Sequence, residues 1–247
     1  MGQLLITNKS DWFSSHNLFT YISWLLALLF LLALDPEVNR QYFLSINKLA
    51  NVYLNPSLIV HITDLGNGTV ASAIILLAIA RQPQYGLRVL ILVVLLGLVS
   101  NFAKQYYDSP RPYLVLDLNL FKIHDFTVTT DSLPSGHTAT IFSLAGLIWL
   151  SYCRTWLKYL ALFIACIVAL SRIAVGVHWP IDLAMGALIG WLLAFVAVKL
   201  TPKKQVNPAT ILIGRIIIIL LGIMVFCSEF VINYQSKNSP ILIQSTG

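Results

Sequence analysis

Apolar runs of about twenty residues recur along this chain, and a peptide built that way can satisfy its backbone in a lipid layer only as helices packed side by side. The runs fall at Leu18 to Leu34, Leu58 to Ala80, Leu87 to Ala103, His137 to Cys153, Leu157 to Val175, Ile181 to Leu200 and Ile211 to Ile232. Of the 247 residues, 57% are hydrophobic and 11% charged, and the mean hydropathy is +0.79, outside the range of soluble globular chains. The expected fold class is all-α: a polytopic transmembrane helix bundle forming one domain over residues 1–247. Six helices make its core, and the run at 211–232 adds a seventh. No room is left for a separate soluble domain.

The second run is the least regular. It carries Asp64 and is interrupted by Gly66-Asn67-Gly68, so its first half is expected to be kinked or only partly embedded. The first run follows a polar stretch and ends in Asp35-Pro36 without a small-residue cleavage site, so it is expected to stay attached. Cys153, Cys166 and Cys227 lie in or beside apolar runs, with neither metal-like nor disulfide-like spacing, and read as small packing residues.

The formal charge of +6 does not point to nucleic acid, because the cations stand in ones and twos at the ends of apolar runs and form no patch. Their distribution reads better as membrane orientation. One set of connections holds Lys9, Arg81, Arg88, Arg154, Lys158, Lys199, Lys203, Lys204 and Arg215; the other holds Arg40, Lys48, Lys122 and Lys237. A bias of nine to four places the first set, with the N-terminus, in the cytoplasm. Lys104, Arg111 and Arg172, left out of that count, would lie on the extracytoplasmic side.

Three short strings carry the chemistry. Lys104 ends the third run, and Arg111 follows between Pro110 and Pro112, prolines that bias the chain away from helix. The two cations either converge on one anion or snorkel to the lipid head groups. The second string, Pro134-Ser135-Gly136-His137, opens an apolar helix with Ser135 as N-cap and Gly136 permitting close approach to the backbone. Free amides and the helix dipole favour a phosphate there, and His137 would be placed to protonate a departing oxygen. Taken alone, such a turn is usually only a cap, and the histidine at its edge is what shifts the reading.

The third string combines Arg172 with His178 and, four residues on, Asp182. Pro180 suits the first turn of the next helix, so Asp182 could reach back to His178, fix its tautomer and leave the other ring nitrogen basic. His178 is the expected nucleophile, although a His–Asp pair at a helix start can also be a satisfied polar pair. All three strings emerge on one membrane face whichever way the chain is inserted.

Lys104 through Pro112, Pro134 through His137 and Ser171 through Asp182 together resemble the three signature motifs of the type 2 phosphatidic acid phosphatase family, complete in residue type and spacing. The signatures run over 104–182, and the seventh helix is an addition to the family's six. The resemblance implies a metal-independent lipid phosphatase in which His178 attacks phosphorus to form a phosphohistidine oriented by Asp182. His137 would protonate the leaving group, and Lys104, Arg111, Arg172, Ser135 and the Gly136 amide would hold the phosphoryl oxygens. No cofactor is expected, since three fixed cations can stabilise the transferring group and Asp108, Asp117, Asp125 and Asp131 show no ligand-like pairing.

Other polar residues carry less. His124 is expected to be solvated and His16 interfacial. A carboxylate within a run is costly, and Asp64, with Asn67, is expected to support the site from behind or to pack its helix, with direct catalysis the lesser alternative. The 21-residue connection from Tyr113 to Leu133 would shape head-group choice. The expected partner is a membrane lipid phosphate in the bilayer: undecaprenyl pyrophosphate or phosphatidylglycerol phosphate first, a lipid A phosphate next. A lipid-to-lipid phosphotransferase would use the same residues, and a transporter or flippase is the alternative from another class.

Overall fold

Pro36, Pro56, Pro112 and Pro180 each sit in the first turn of a helix, where a missing N–H costs nothing and the fixed φ already suits the helix. In a computed structural model the described residues are 9–68, 86–124, 131–152 and 154–201, with isolated positions beyond. Their helices are α1 (Lys9–Leu32), α2 (Pro36–Tyr53), α3 (Pro56–Asp64), α4 (Gly86–Tyr107), α5 (Pro112–Val115), α6 (Gly136–Ser151), α7 (Thr155–Ala174) and α8 (Pro180–Leu200). The expected helix at 211–232 and the second half of the run ending at Ala80 lie almost wholly outside the described residues.

Among the described residues, α4, α7 and α8 are each long and apolar enough to cross a membrane; α1 and α2, joined through a 105° bend, pass that test together. This is an all-helical, multi-pass membrane bundle. The expected run from His137 appears as α6, whose 16 residues reach only about 24 Å, less than the hydrocarbon thickness. It is the central helix, buried along most of its length and packed most extensively against α8.

Helix α2 is the element that hydropathy does not announce. Its polar residues, among them Glu37, Asn39, Arg40, Asn47 and Asn51, cancel its apolar ones, so no apolar run marks it. Local signals do account for it: Asp35 accepts hydrogen bonds from the amides of Glu37 at 3.0 Å and Val38 at 2.9 Å, and Pro36 follows that cap.

Small residues set the α6–α8 distance. A Cβ on Gly190 would lie 2.1 Å from the Ala139 carbonyl oxygen, one on Gly186 2.7 Å from that of Ser135, and one on Gly146 2.7 Å from the Ala194 Cβ. Membrane helices lack a hydrophobic drive to associate and rely on such close backbone approach. Larger side chains fill the flanks, with Phe19 of α1 stacked on Trp191 at 4.6 Å between ring centres and Trp149 edge-on to Trp191 at 5.7 Å. At the end away from His178, the Arg88 guanidinium donates to Thr201 at 3.0 Å and Ser151 at 3.4 Å, tying α4, α6 and α8 together.

Candidate active site

The α6–α8 seam brings the second and third strings together at one end of the bundle. The Ser135 amide donates to the Asp182 carbonyl at 3.1 Å, so the cap of α6 is bonded to the first turn of α8. Ser135 is the N-cap of α6, accepting from the Thr138 amide at 3.5 Å and the Thr138 hydroxyl at 3.1 Å. A Cβ on Gly136 would meet no atom within 4 Å, which leaves the helix entrance open for a group to approach its amides.

His178 lies in the loop between α7 and α8, only 3% exposed. Its Nδ1 is 3.1 Å from the Asp182 Oδ2, and its Nε2 faces the Arg111 Nη1 at 3.5 Å. The same carboxylate oxygen accepts the Trp179 amide at 2.8 Å and the hydroxyl of fully buried Ser132, which is also 3.3 Å from the His178 Nδ1. With Nδ1–H directed at a carboxylate, the lone pair of the neutral ring is on Nε2. Burial pushes the proton affinity of His178 well below that of an ordinary imidazole, and the charges of Arg172, Arg111 and Lys104 push it further down. The ring is thereby kept neutral, as a nucleophile requires.

The three cations converge. Arg111, buried, donates to the Val177 carbonyl at 3.1 Å and the Asp131 carbonyl at 3.3 Å, which pins its guanidinium beside His178. Lys104, in the last turn of α4, is within electrostatic reach of Arg111, Asp131 and Asp182. Arg172, in the last turn of α7, donates to the Thr63 hydroxyl at 2.7 Å. His137, in the first turn of α6, lies within reach of the charges of Arg172, His178, Arg111 and Lys104. Every residue proposed from the strings therefore belongs to this one end of the bundle.

Asp64 is placed differently from those residues. It is exposed, whereas its neighbour Thr63 is buried and bonded to Arg172. Sequence reasoning passed over both Thr63 and Ser132, because a lone hydroxyl carries no spacing signature; the pattern that could have found Ser132 is its position three residues before the Ser135 cap. His124, expected to be solvated, is half-buried and bonded to Asn51.

Helix α2 holds the loops in place from outside. Asn47 donates to the carbonyls of Lys122, Ile173 and Ala174 at 2.9, 2.9 and 3.1 Å and accepts the Lys122 amide at 2.9 Å. Its neighbour Asn39 accepts the Ile181 amide of α8 at 3.0 Å. Gly176, at φ +87°, turns the chain between Arg172 and His178 where a Cβ would lie 2.5 Å from the Lys122 carbonyl oxygen, a position only glycine fits. The Trp179 indole donates to the Pro110 carbonyl at 2.9 Å and so ties the first string to the third.

Cations, imidazoles and a carboxylate gathered at one end of a multi-pass helical bundle are the equipment of a membrane protein that handles an anion. Residues 85–206 match the PAP2 superfamily. The undecaprenyl-diphosphatase of Sulfolobus acidocaldarius is 29% identical over 76% of this chain and 96% of its own. The bacitracin transport permease protein BcrC of Bacillus licheniformis is 30% identical over 68% of this chain and 82% of its own. The crystal structure of LpxE from Aquifex aeolicus superposes with a TM-score of 0.58 at 27% identity, covering 67% of this chain and 97% of that one. The chain belongs to the PAP2 superfamily and is a lipid phosphatase of that family.

Proposed function

We propose that the protein hydrolyses the phosphomonoester or pyrophosphate of a membrane lipid through a phosphohistidine on His178, with undecaprenyl pyrophosphate the favoured substrate and phosphatidylglycerol phosphate the next. The observation that carries this is the two-sided seating of His178, with Nδ1 on Asp182 at 3.1 Å and Nε2 facing Arg111 at 3.5 Å. In the first step the Nε2 lone pair attacks phosphorus, the bond to the leaving oxygen breaks, and His137 gives that oxygen its proton. Asp182 stabilises the cationic phosphohistidine. In the second step water gives a proton to His137 and attacks phosphorus, the P–N bond breaks, and inorganic phosphate leaves with neutral His178 restored.

Lys104, Arg111 and Arg172 hold the phosphoryl oxygens together with Ser135 and the Gly136 amide, supplying positioned charge for a transfer that depends on it. The prenyl diphosphate substrate is favoured by the relative named as an undecaprenyl-diphosphatase. The loop-charge bias supports a site on the extracytoplasmic side with the N-terminus in the cytoplasm. The whole chain, 1–247, acts as one phosphatase domain.

Phosphate release by the purified protein from undecaprenyl pyrophosphate, phosphatidylglycerol phosphate and lipid A tests the reaction and the substrate together. Release from the prenyl diphosphate, abolished by His178→Ala, is expected; release undiminished in that variant overturns the proposal. Transfer of the label to an added acceptor lipid in place of water would identify a phosphotransferase. The transport reading is favoured by one relative's name alone, and lipid movement surviving in His178→Ala would support it.

A further inference from the structure

Helix α3 lies outside residues 85–206, the stretch that matches the family, yet its last turn reaches the centre of the site. Thr63 is 2% exposed and accepts the Arg172 Nη1 at 2.7 Å, across 109 positions of sequence. One turn earlier on the same face, Ile59 is buried with Ala174, Val175 and Val177, the residues that lead from Arg172 to His178. That apolar contact anchors the helix and fixes where the Thr63 hydroxyl can be. Past Asp64 the chain tightens: the amides of Leu65, Gly66 and Asn67 donate to the carbonyls of Ile62, Thr63 and Asp64 at 3.2, 3.0 and 3.0 Å.

This tight turn drives Gly66 into the bundle. It is buried, and a Cβ there would lie 2.8 Å from the Val168 Cγ1, 3.0 Å from the His137 Cβ and 3.2 Å from the His137 carbonyl oxygen. Two of these three atoms belong to backbone or to the root of a side chain, so the neighbours cannot yield by a rotamer change.

We propose that the turn from Thr63 to Gly66 is a positioning element of the phosphate site: Thr63 orients the Arg172 guanidinium toward the phosphoryl group, and Gly66 lets the turn back His137. Neither residue touches the reacting atoms. A guanidinium presents a rigid fork of donors; tying one Nη to a fixed hydroxyl leaves the remaining donors with one orientation and lowers the entropy lost on binding an anion. At Gly66 the effect is steric, because any side chain would displace the His137 backbone by a few tenths of an ångström, enough to misalign a proton donor.

The inference rests on the phosphohistidine reading for the role of His137, but its first test does not. Inorganic vanadate and inorganic phosphate binding to the full-length protein in detergent is measured by titration calorimetry for wild type, Thr63→Val and Thr63→Ser, with thermal midpoints alongside. Thr63→Val, nearly isosteric, is expected to weaken anion binding about tenfold, the effect of one charge-assisted hydrogen bond, in a protein that still unfolds cooperatively at a somewhat lower midpoint, with Thr63→Ser restoring both; should Thr63→Val not fold, Thr63→Ala carries the same expectation. Anion binding in Thr63→Val equal to wild type, or a Thr63→Ser protein as weak as Thr63→Val, overturns the role of Thr63.

For Gly66→Ala, release of the leaving group in the first turnover, which precedes the water step that His137 also serves, is compared on an alkyl phosphate and on p-nitrophenyl phosphate, whose leaving group departs without a proton. A fall of about tenfold in that rate on the alkyl substrate, with the p-nitrophenol burst near wild type, is expected for a misplaced acid. An equal fall on both substrates, or none, overturns the role of Gly66. Wild-type protein that binds vanadate but releases no phosphate from any lipid would overturn the phosphatase reaction and leave the Thr63 result standing.

Discussion

Asp182 gathers the imidazole of His178, the amide of Trp179 and the hydroxyl of Ser132 on a single carboxylate oxygen, so the His178 ring is oriented by a network in place of a single pair. Removing one donor from such a network loosens ring orientation without unfolding the protein. Ser132→Ala is therefore expected to lower kcat about tenfold with little change in KM, as steady-state kinetics would register. Burial first, then the nearby arginines and lysine, depress the proton affinity of His178. Because a lowered pKa keeps the ring neutral to lower pH, the acid limb of kcat/KM assigned to His178 is expected below the ordinary imidazole value of about 6.5. Arg111→Gln, which removes one of those cations, should move that limb upward; a pH–rate profile of both proteins reads the shift. Residues such as His178, Arg172 and Lys104 were legible in the sequence because titratable groups are conspicuous among apolar runs. Ser132 and Thr63 were not, since their importance comes from which charged group each one bonds, and that is fixed only by the fold.

Among the elements, α6 and α8 decide whether the site forms at all. Their seam admits no Cβ at Gly190, where the Ala139 carbonyl oxygen would be 2.1 Å away. Gly190→Ala is expected to cost roughly 1–3 kcal/mol or more of stability through overpacking, and activity should fall with it as Ser135 moves away from Asp182. Gly97 in α4 is the contrasting case, with nothing within 4 Å of an added Cβ; Gly97→Ala should be neutral or slightly stabilising. Thermal unfolding in detergent compares the two. Helices α4, α7 and α8 could be read from hydropathy alone. Helix α2 could not, because its Asn47 and Asn51 side chains are spent on the carbonyls of Lys122, Ile173 and Ala174, and polar residues used internally look the same in a sequence as polar residues facing water. The interruption at Gly66 was visible, but whether it marked a kink or a contact with His137 depended on a neighbour 71 positions along the chain.

For the molecule as a whole, the Arg88 guanidinium ties the helices at one end, while Arg111, Arg172 and Asp182 are buried with His178 at the other. Lys104, Arg111 and Arg172 together give that end of the bundle a positive field that would attract a phosphate. The central claim is that phosphorus passes through a bond to His178. Stereochemistry at phosphorus tests this without any variant, using a lipid diphosphate whose terminal thiophosphoryl group is made chiral with oxygen isotopes and hydrolysed in isotopically labelled water. Two successive in-line displacements, onto His178 and then onto water, predict overall retention of configuration. Inversion would mean that water attacks the lipid phosphate directly, and would contradict the phosphohistidine.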